Sequence, residues 1–237
     1  MTTTSTQAFN PAASALTMVA FGRIGIRRTE ITVQHLEDAA AEANLVQVTV
    51  SNHQPLLWRS EIYDITLTQG TAEYDLPSSL VATQDVYITT TPSGAGASSA
   101  TDRVLGAITT TQYDAQPNKT IQAAPSAYMV QKLTPTPTIT FRHTPDGSVT
   151  YVAHVRVLTR PYDVSLRNGY TLDMPYTYLD VFVAGLAHRL ARIYARGLEA
   201  ARRVDYMEAL EAAQRTDTQD NTVMTISVGT SGYWRGR

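Results

Sequence analysis

Histidines and carboxylates are the side chains here best suited to chemistry, and their spacing limits what that chemistry could be. The five histidines are His35, His53, His143, His154 and His188. None pairs at the i, i+4 spacing with which one helix face grips zinc, and no His-x-His occurs. His143 and His154 fall on strand-like runs and could meet across a sheet, although an ordinary hydrogen-bonded strand histidine is the simpler reading. Asp64, Glu73 and Asp75 flank one hairpin-like segment, where two close carboxylates would do acid–base work. Surface acids on an exposed sheet face explain them more simply. No serine sits in a Gly-x-Ser-x-Gly turn. Cysteine is absent, which removes disulfides, thiolate catalysis and Cys-ligated zinc or iron–sulfur sites. With no catalytic, cofactor-binding or metal-ligating constellation, the expectation is a non-enzyme without a cofactor.

Arginine offers a different chemistry. It outnumbers lysine seventeen to two, and its planar guanidinium suits protein interfaces, where lysine is depleted. Arg189, Arg192 and Arg196 share one face of a helical pattern. Three readings stay open for this stripe: a solvated face, pairing with acids of a neighbouring subunit, or contact with DNA phosphates. Ala184, Ala187, Ala191 and Ala195 line another side of the same helix, where small residues let a second helix approach closely. The end of the chain, Gly232-Tyr233-Trp234-Arg235-Gly236-Arg237, carries the residue types that dominate interface hot spots. Docking of this tail into a partner protein is favoured over docking on its own domain.

These residues need elements to position them. Asn10-Pro11 opens a short helix over 11–21. Thr32 caps a second that runs to about Asn52, with Val33, Leu36, Ala40 and Ala43 at helical spacing. From Ile62 to Tyr162 the period changes to two. Tyr63, Ile65 and Leu67 alternate, Gln69-Gly70 turns, and Ala72, Tyr74 and Leu76 alternate again, a hairpin pattern. Further strand runs are expected at Val86–Thr90, Leu105–Thr109, Tyr128–Leu133, Thr138–Arg142 and Val149–Leu158. Pro175 leads into a helix over Thr177–Arg196, with Leu179, Phe182, Val183, Leu186, Leu190 and Ile193 on its apolar side. Gly197 breaks it. Leu198–Gln214 forms the last helix, with Ala200, Val204, Met207 and Leu210 as its inner face. The expected fold is α+β: a helical bundle made by the N- and C-terminal segments, with an inserted antiparallel β-sandwich or small barrel. The expected division is an N-terminal helical part (1–60), a β-domain (61–163), a C-terminal helical part (164–215) and an extended arm (216–237).

Composition limits the partners. Of 237 residues, 43% are hydrophobic and only 17% charged, with a net charge of −2. That is enough apolar material for a core and too little positive charge to grip nucleic acid in bulk. Charge is unevenly placed: Glu61, Asp64, Glu73, Asp75, Asp85, Asp102 and Asp114 face only Arg103, Lys119 and Lys132 within residues 61–140. No window reaches the ~18–20 apolar residues of a membrane span, and Met1–Thr6 lacks the basic start of a signal peptide. No membrane partner and no export are expected.

An ordered series of turn and packing elements then carries a likeness. It comprises Leu57-Trp58, then Gln69-Gly70-Thr71-Ala72-Glu73-Tyr74-Asp75-Leu76-Pro77, then Asp102-Arg103, Tyr113, Pro117-Asn118-Lys119, Pro125 and Tyr128. Pro135-x-Pro137, Arg160-Pro161-Tyr162-Asp163, Pro175 and Gly185-Leu186-Ala187-x-Arg189-Leu190-Ala191 follow. Over most of residues 15–215 the chain resembles the head-to-tail adaptor (connector) proteins of tailed bacteriophages, especially short-tailed ones. The resemblance implies a structural virion protein at the head–tail junction, assembled in the host cytoplasm. It implies a homo-oligomeric ring, commonly of twelve subunits, docked beneath the portal protein, forming part of the DNA channel and attaching a tail or nozzle protein. DNA would pass transiently without tight binding. Tyr233, Trp234, Arg235 and Arg237 would form the portal-docking arm, and Ala184, Ala187, Arg189, Ala191, Arg192 and Arg196 the subunit interface. The Ala/Gly/Ser-rich loop Pro92–Ala100 departs from the family pattern. The alternatives are another tail or baseplate structural protein and, less favoured, a virion-associated hydrolase.

Overall fold

The computed structural model describes residues 9–53, 57–92, 99–167 and 169–216. Two hydrophobic cores organise the chain, one between helices and one between sheets. The mixed α+β class and the sandwich inserted between helical segments match the sequence expectation.

The helical core is built around α4 (Leu179–Tyr194), nearly all of whose apolar residues are buried. Against it pack α1 (Ala13–Arg23), α2 (Val33–His53) and α5 (Glu199–Thr216). Helix α1 offers Ala13, Leu16, Ala20 and Phe21 at i, i+3, i+4 spacing, one buried stripe. Thr32 caps α2 as expected, its Oγ1 accepting from the His35 N–H at 3.4 Å. Arg23 bonds Asp180 at 2.6 Å and so ties α1 to the first turn of α4. At the 3-10 turn Leu57–Arg59 the Trp58 ring lies 4.7 Å from that of Tyr178, which is fully buried.

Helix α5 departs from its expected orientation. The bundle buries Tyr206, Leu210 and Ala213, whereas Ala200, Val204 and Met207 face outward. Gly185 sets this rotation. A Cβ there would lie 3.0 Å from the Tyr206 ring and 3.1 Å from Val46, so the missing side chain is the hole that Tyr206 fills.

The sheets form a sandwich. One has the order β1 (Ser60–Leu67), β8 (Val149–Thr159), β3 (Leu80–Pro92), β4 (Thr101–Val104); the other has β2 (Glu73–Asp75), β7 (Thr138–Arg142), β6 (Ala127–Gln131), β5 (Gly106–Ala107). Period-two alternation aims Tyr151, Ala153, Val155 and Val157 of β8 inward, opposite Ile139 and Phe141 of β7. Three expectations are corrected here. The β1 and β2 segments do not pair as a hairpin: β1 pairs with β8 and β2 with β7, in different sheets. The sandwich is not wholly antiparallel, because β5 pairs with β6 in parallel. The run expected at Leu105–Thr109 is a two-residue strand followed by α3 (Thr110–Asp114). The capping box Thr109-x-x-Gln112, which marks that helix start, was present in the sequence.

Side chains pin the turns. Tyr74 Oη accepts from the Thr68 N–H at 2.7 Å across the β1–β2 connection. In the β7–β8 turn, Asp146 Oδ1 accepts from the N–H and hydroxyl of Ser148, which holds the Asp146 carboxyl below its ordinary range. Gly147 has φ 71°, and a Cβ there would meet the Gln69 side chain at 2.8 Å.

Candidate assembly surface

The carboxylates and histidines considered for chemistry are dispersed. Asp64 lies on β1, whereas Glu73 and Asp75 lie on β2 of the other sheet, so the three do not converge. Asp64 Oδ1 instead meets His154 Nδ1 at 2.6 Å, His154 Nε2 meets Thr89 Oγ1 at 2.9 Å, and the Thr89 hydroxyl donates to Asp102 at 2.6 Å. These four side chains strap β1, β8, β3 and β4 across the outer sheet face, and the Tyr87 ring stacks on His154 at 4.6 Å. A hydroxyl that gives its hydrogen to Asp102 is not offered to the imidazole as a nucleophile's proton would be. His143 follows β7 with φ 63° and reaches Ser126 at 3.4 Å. Among the described residues no group of three or more His, Cys, Asp or Glu could hold a metal ion.

A depression of about 470 Å³ brings two acids together, Asp163 and Asp173, beside Gln47, Tyr162 and Tyr170. Asp173 is committed there to structure. It accepts from the Tyr162 N–H at 3.1 Å and pairs with Arg59 at 3.4 Å, while the Arg59 guanidinium lies 4.7 Å over the Tyr162 ring.

The residues expected at a subunit interface divide into two groups. Ala184, Ala187 and Ala191 are buried in the protomer's own helical core, at 1%, 0% and 0% exposure. Their small size lets α4 approach its neighbours within one chain, and a large residue there would collide inside the protomer. Arg189 also works within the chain: its guanidinium donates to Glu42 at 3.0 Å and to Thr49 at 2.9 Å, tying α4 to α2. Arg192 and Arg196 point outward. Arg192 pairs with Glu199 at 3.0 Å, and Arg196 donates to the Arg192 carbonyl at 3.4 Å. Around them Ile193, Leu198, Val204 and Met207 are 41–55% exposed, and Arg203 is exposed too. An apolar patch framed by arginines thus covers the end of α4 and the outer side of α5. Helical spacing alone had assigned Val204 and Met207 to the core. Tyr233, Trp234, Arg235 and Arg237 lie outside the described residues, as do residues 93–98 of the Pro92–Ala100 loop.

Two titrating groups border this patch. Burial, then the charge of Arg192, holds the His188 imidazole below its ordinary range; Glu199 opposes this, while Arg189 and Arg203 add to it. Burial, then the Asp38 carboxylate 2.5 Å away, pushes the Tyr194 hydroxyl up to about 12. For His188 the unfolded chain binds the proton more readily than the folded one. Its contribution to stability is therefore complete above the unfolded pKa of about 6.5 and is lost as pH falls. His188→Gln should flatten the fall of the urea midpoint between about pH 7 and pH 5. An unchanged slope would assign that fall to other groups.

Residues 12–229 match the family model described as SU10 adaptor protein. No curated protein matches the chain. No described helix is long and apolar enough to cross a membrane.

Proposed function

The chain belongs to the SU10 adaptor protein family, a family of phage structural adaptors, and from that membership we propose that it forms a ring at the head–tail junction. The ring, of twelve subunits in our reading, docks beneath the portal protein, lines part of the DNA channel and attaches the tail or nozzle. The observation that carries this reading is the exposed patch of Ile193, Leu198, Val204 and Met207 among Arg192, Arg196 and Arg203. Large apolar side chains gathered on one helical flank favour burial against another protein, and interspersed arginine is the charged residue best suited to such a surface. Subunit contact then falls to Arg192 and Arg196 and their apolar neighbours, while Ala184, Ala187, Arg189 and Ala191 hold the protomer together.

Low net charge suits a conduit. A basic ring would meet many phosphates at once, and the contacts would add up to retention of the DNA. A chain of net charge −2 avoids this. The arm Tyr233, Trp234, Arg235 and Arg237 docks on the portal, and the subunit acts by assembly, with no bond-making of its own.

Native mass spectrometry of the chain with and without the portal protein of the same particle tests the reading. A closed ring on the portal is the expected result, and a protomer that never oligomerises overturns it. Deleting residues 230–237 should leave a folded subunit, judged by far-ultraviolet circular dichroism, that no longer joins the portal. Undiminished docking by the truncated chain would remove the arm from the proposal.

A further inference from the structure

Two helices of the protomer leave an apolar stripe outside, and the stripes match. On α5 the outward line runs Ala200, Arg203, Val204, Met207, Glu211; on α2 it runs Glu37, Ala41, Leu45, Val48. Val204 and Met207 are 55% and 51% exposed, and Leu45 and Val48 are 47% and 54% exposed. Each line covers eleven residue steps, about 16 Å of helix at 1.5 Å per residue. Charge complements them when the helices run parallel. The first turns of α5 carry Arg203, with Arg196 just before them, and the start of the α2 line carries Glu37. No ion pair engages Arg196 or Glu37 among the described residues, Arg196 donating only to the Arg192 carbonyl.

The α2 stripe also has a receiving groove. A depression of about 280 Å³ lies beside Val48, bordered by Asn44, Gln47, Ser51, Val81 and Pro161. Gln47 is only 4% exposed, and its Nε2 has no hydrogen-bond partner. Methionine is the side chain best able to fill an irregular gap of this kind.

We propose that α5 of one protomer packs on α2 of the next. Ala200, Val204 and Met207 lie along Ala41, Leu45 and Val48, Met207 enters the groove, and Arg196, eleven residues before Met207, faces the neighbour's Glu37, eleven before Val48. The occupant of the α2 stripe is therefore a second copy of this chain. One face is α5 and the other α2, so the contact is heterologous and propagates head to tail until it closes. This inference rests on the ring reading above and names its contact.

The chain has no cysteine, so introduced thiols report only the designed contact. Val48→Cys and Met207→Cys alter surface positions and should leave the fold intact. Mixed in equal amounts on the portal protein and oxidised, the two variants should give a disulfide-linked dimer containing one of each. Either variant alone should give none. The double variant should give a ladder of linked oligomers. Val204→Glu/Met207→Glu should lower ring yield at least tenfold while leaving the circular dichroism spectrum unchanged. Rings that form without the mixed cross-link, or that tolerate the two glutamates, overturn this contact and leave the ring reading standing. Absence of any wild-type ring on the portal, by native mass spectrometry, overturns both. Homodimers of Met207→Cys alone would show an isologous α5 contact and overturn the heterologous one.

Discussion

Phe182→Ala should remove about 3–5 kcal/mol from the helical core, the loss expected when a buried aromatic leaves a cavity. Phe182 is fully buried on α4, the helix against which α1, α2 and α5 all pack. A gap there is lined from several sides and closes poorly. Against a total stability of about 5–15 kcal/mol for a domain, the loss is large enough to leave part of the population unfolded at 37 °C. Trp58 reports the event, since it packs in this core against Tyr178. The sequence has only two tryptophans, Trp58 and Trp234, so Trp234→Phe makes the signal unique to the core. Urea unfolding followed by that fluorescence should show the midpoint fall with little change in slope. Phe182→Leu should recover most of the loss. A loss below about 1 kcal/mol would mean that α4 is not the centre of the bundle. Ring assembly should fail in Phe182→Ala through a shortage of folded protomer, unlike the failure expected when the outer face of α5 is changed.

That contrast shows what the sequence reveals and what it leaves hidden. Elements with a strong period are legible: the run expected at Val149–Leu158 is strand β8 with alternate residues buried, and the apolar stripe of α4 is buried from Leu179 to Leu190, with Ile193 beyond it left 45% exposed. Pairing is not legible, because alternation tells which face of a strand is buried and is silent about its neighbour. Tyr63–Leu67 and Ala72–Leu76 read as a hairpin yet join different sheets, the β8 and β7 strands being better placed to cover them. Strand β4, Thr101–Val104, is exposed at every position and so has no alternation to detect. Helix α5 is the instructive case. It has apolar residues on two sides, and a helical wheel cannot rank them. Tertiary structure decides, through a tyrosine at 206 that finds the space over Gly185. The Ala-rich side of α4 likewise signalled close helix approach without saying whether the partner helix belongs to the same chain. It does: Ala184, Ala187 and Ala191 are sealed inside the protomer.

The arginines divide for a similar reason. Arg189, Arg192 and Arg196 share a face on the wheel, but Arg189 reaches Glu42 and Thr49 on α2, and the other two lie beyond the end of that contact. Spacing groups them; only the position of α2 separates the protomer's own strap, Arg189, from the two that face outward. Exposed arginine pairs add little to protomer stability, so Arg192 and Arg196 do little to hold the protomer together.

Phe141→Ala, in the other core, should cost about 3–5 kcal/mol as well, and its consequences should stay in the sandwich. Phe141 is 1% exposed on β7, meets the Tyr74 ring edge-on with centroids 5.9 Å apart, and donates its N–H to the Ala72 carbonyl at 2.8 Å. Losing the ring empties the space between the sheets and loosens the β2 edge, whose short strand depends on β7. The buried residues of the two cores have no member in common. A polar link joins them: Arg59 pairs with Glu61 at the start of β1 and with Asp173 ahead of α4. Pairs of this kind contribute little cooperativity beside an apolar core. In Phe141→Ala the transition seen by Trp58 should therefore keep its midpoint, while the β-sheet circular dichroism signal melts earlier. Equal displacement of both signals would show one cooperative unit and refute the separation. If the cores are independent, a ring held by α5 on α2 needs only the helical core. Phe141→Ala should then still close rings at temperatures where its sandwich has begun to unfold, and lose attachment of the tail if the sandwich is the part that carries it.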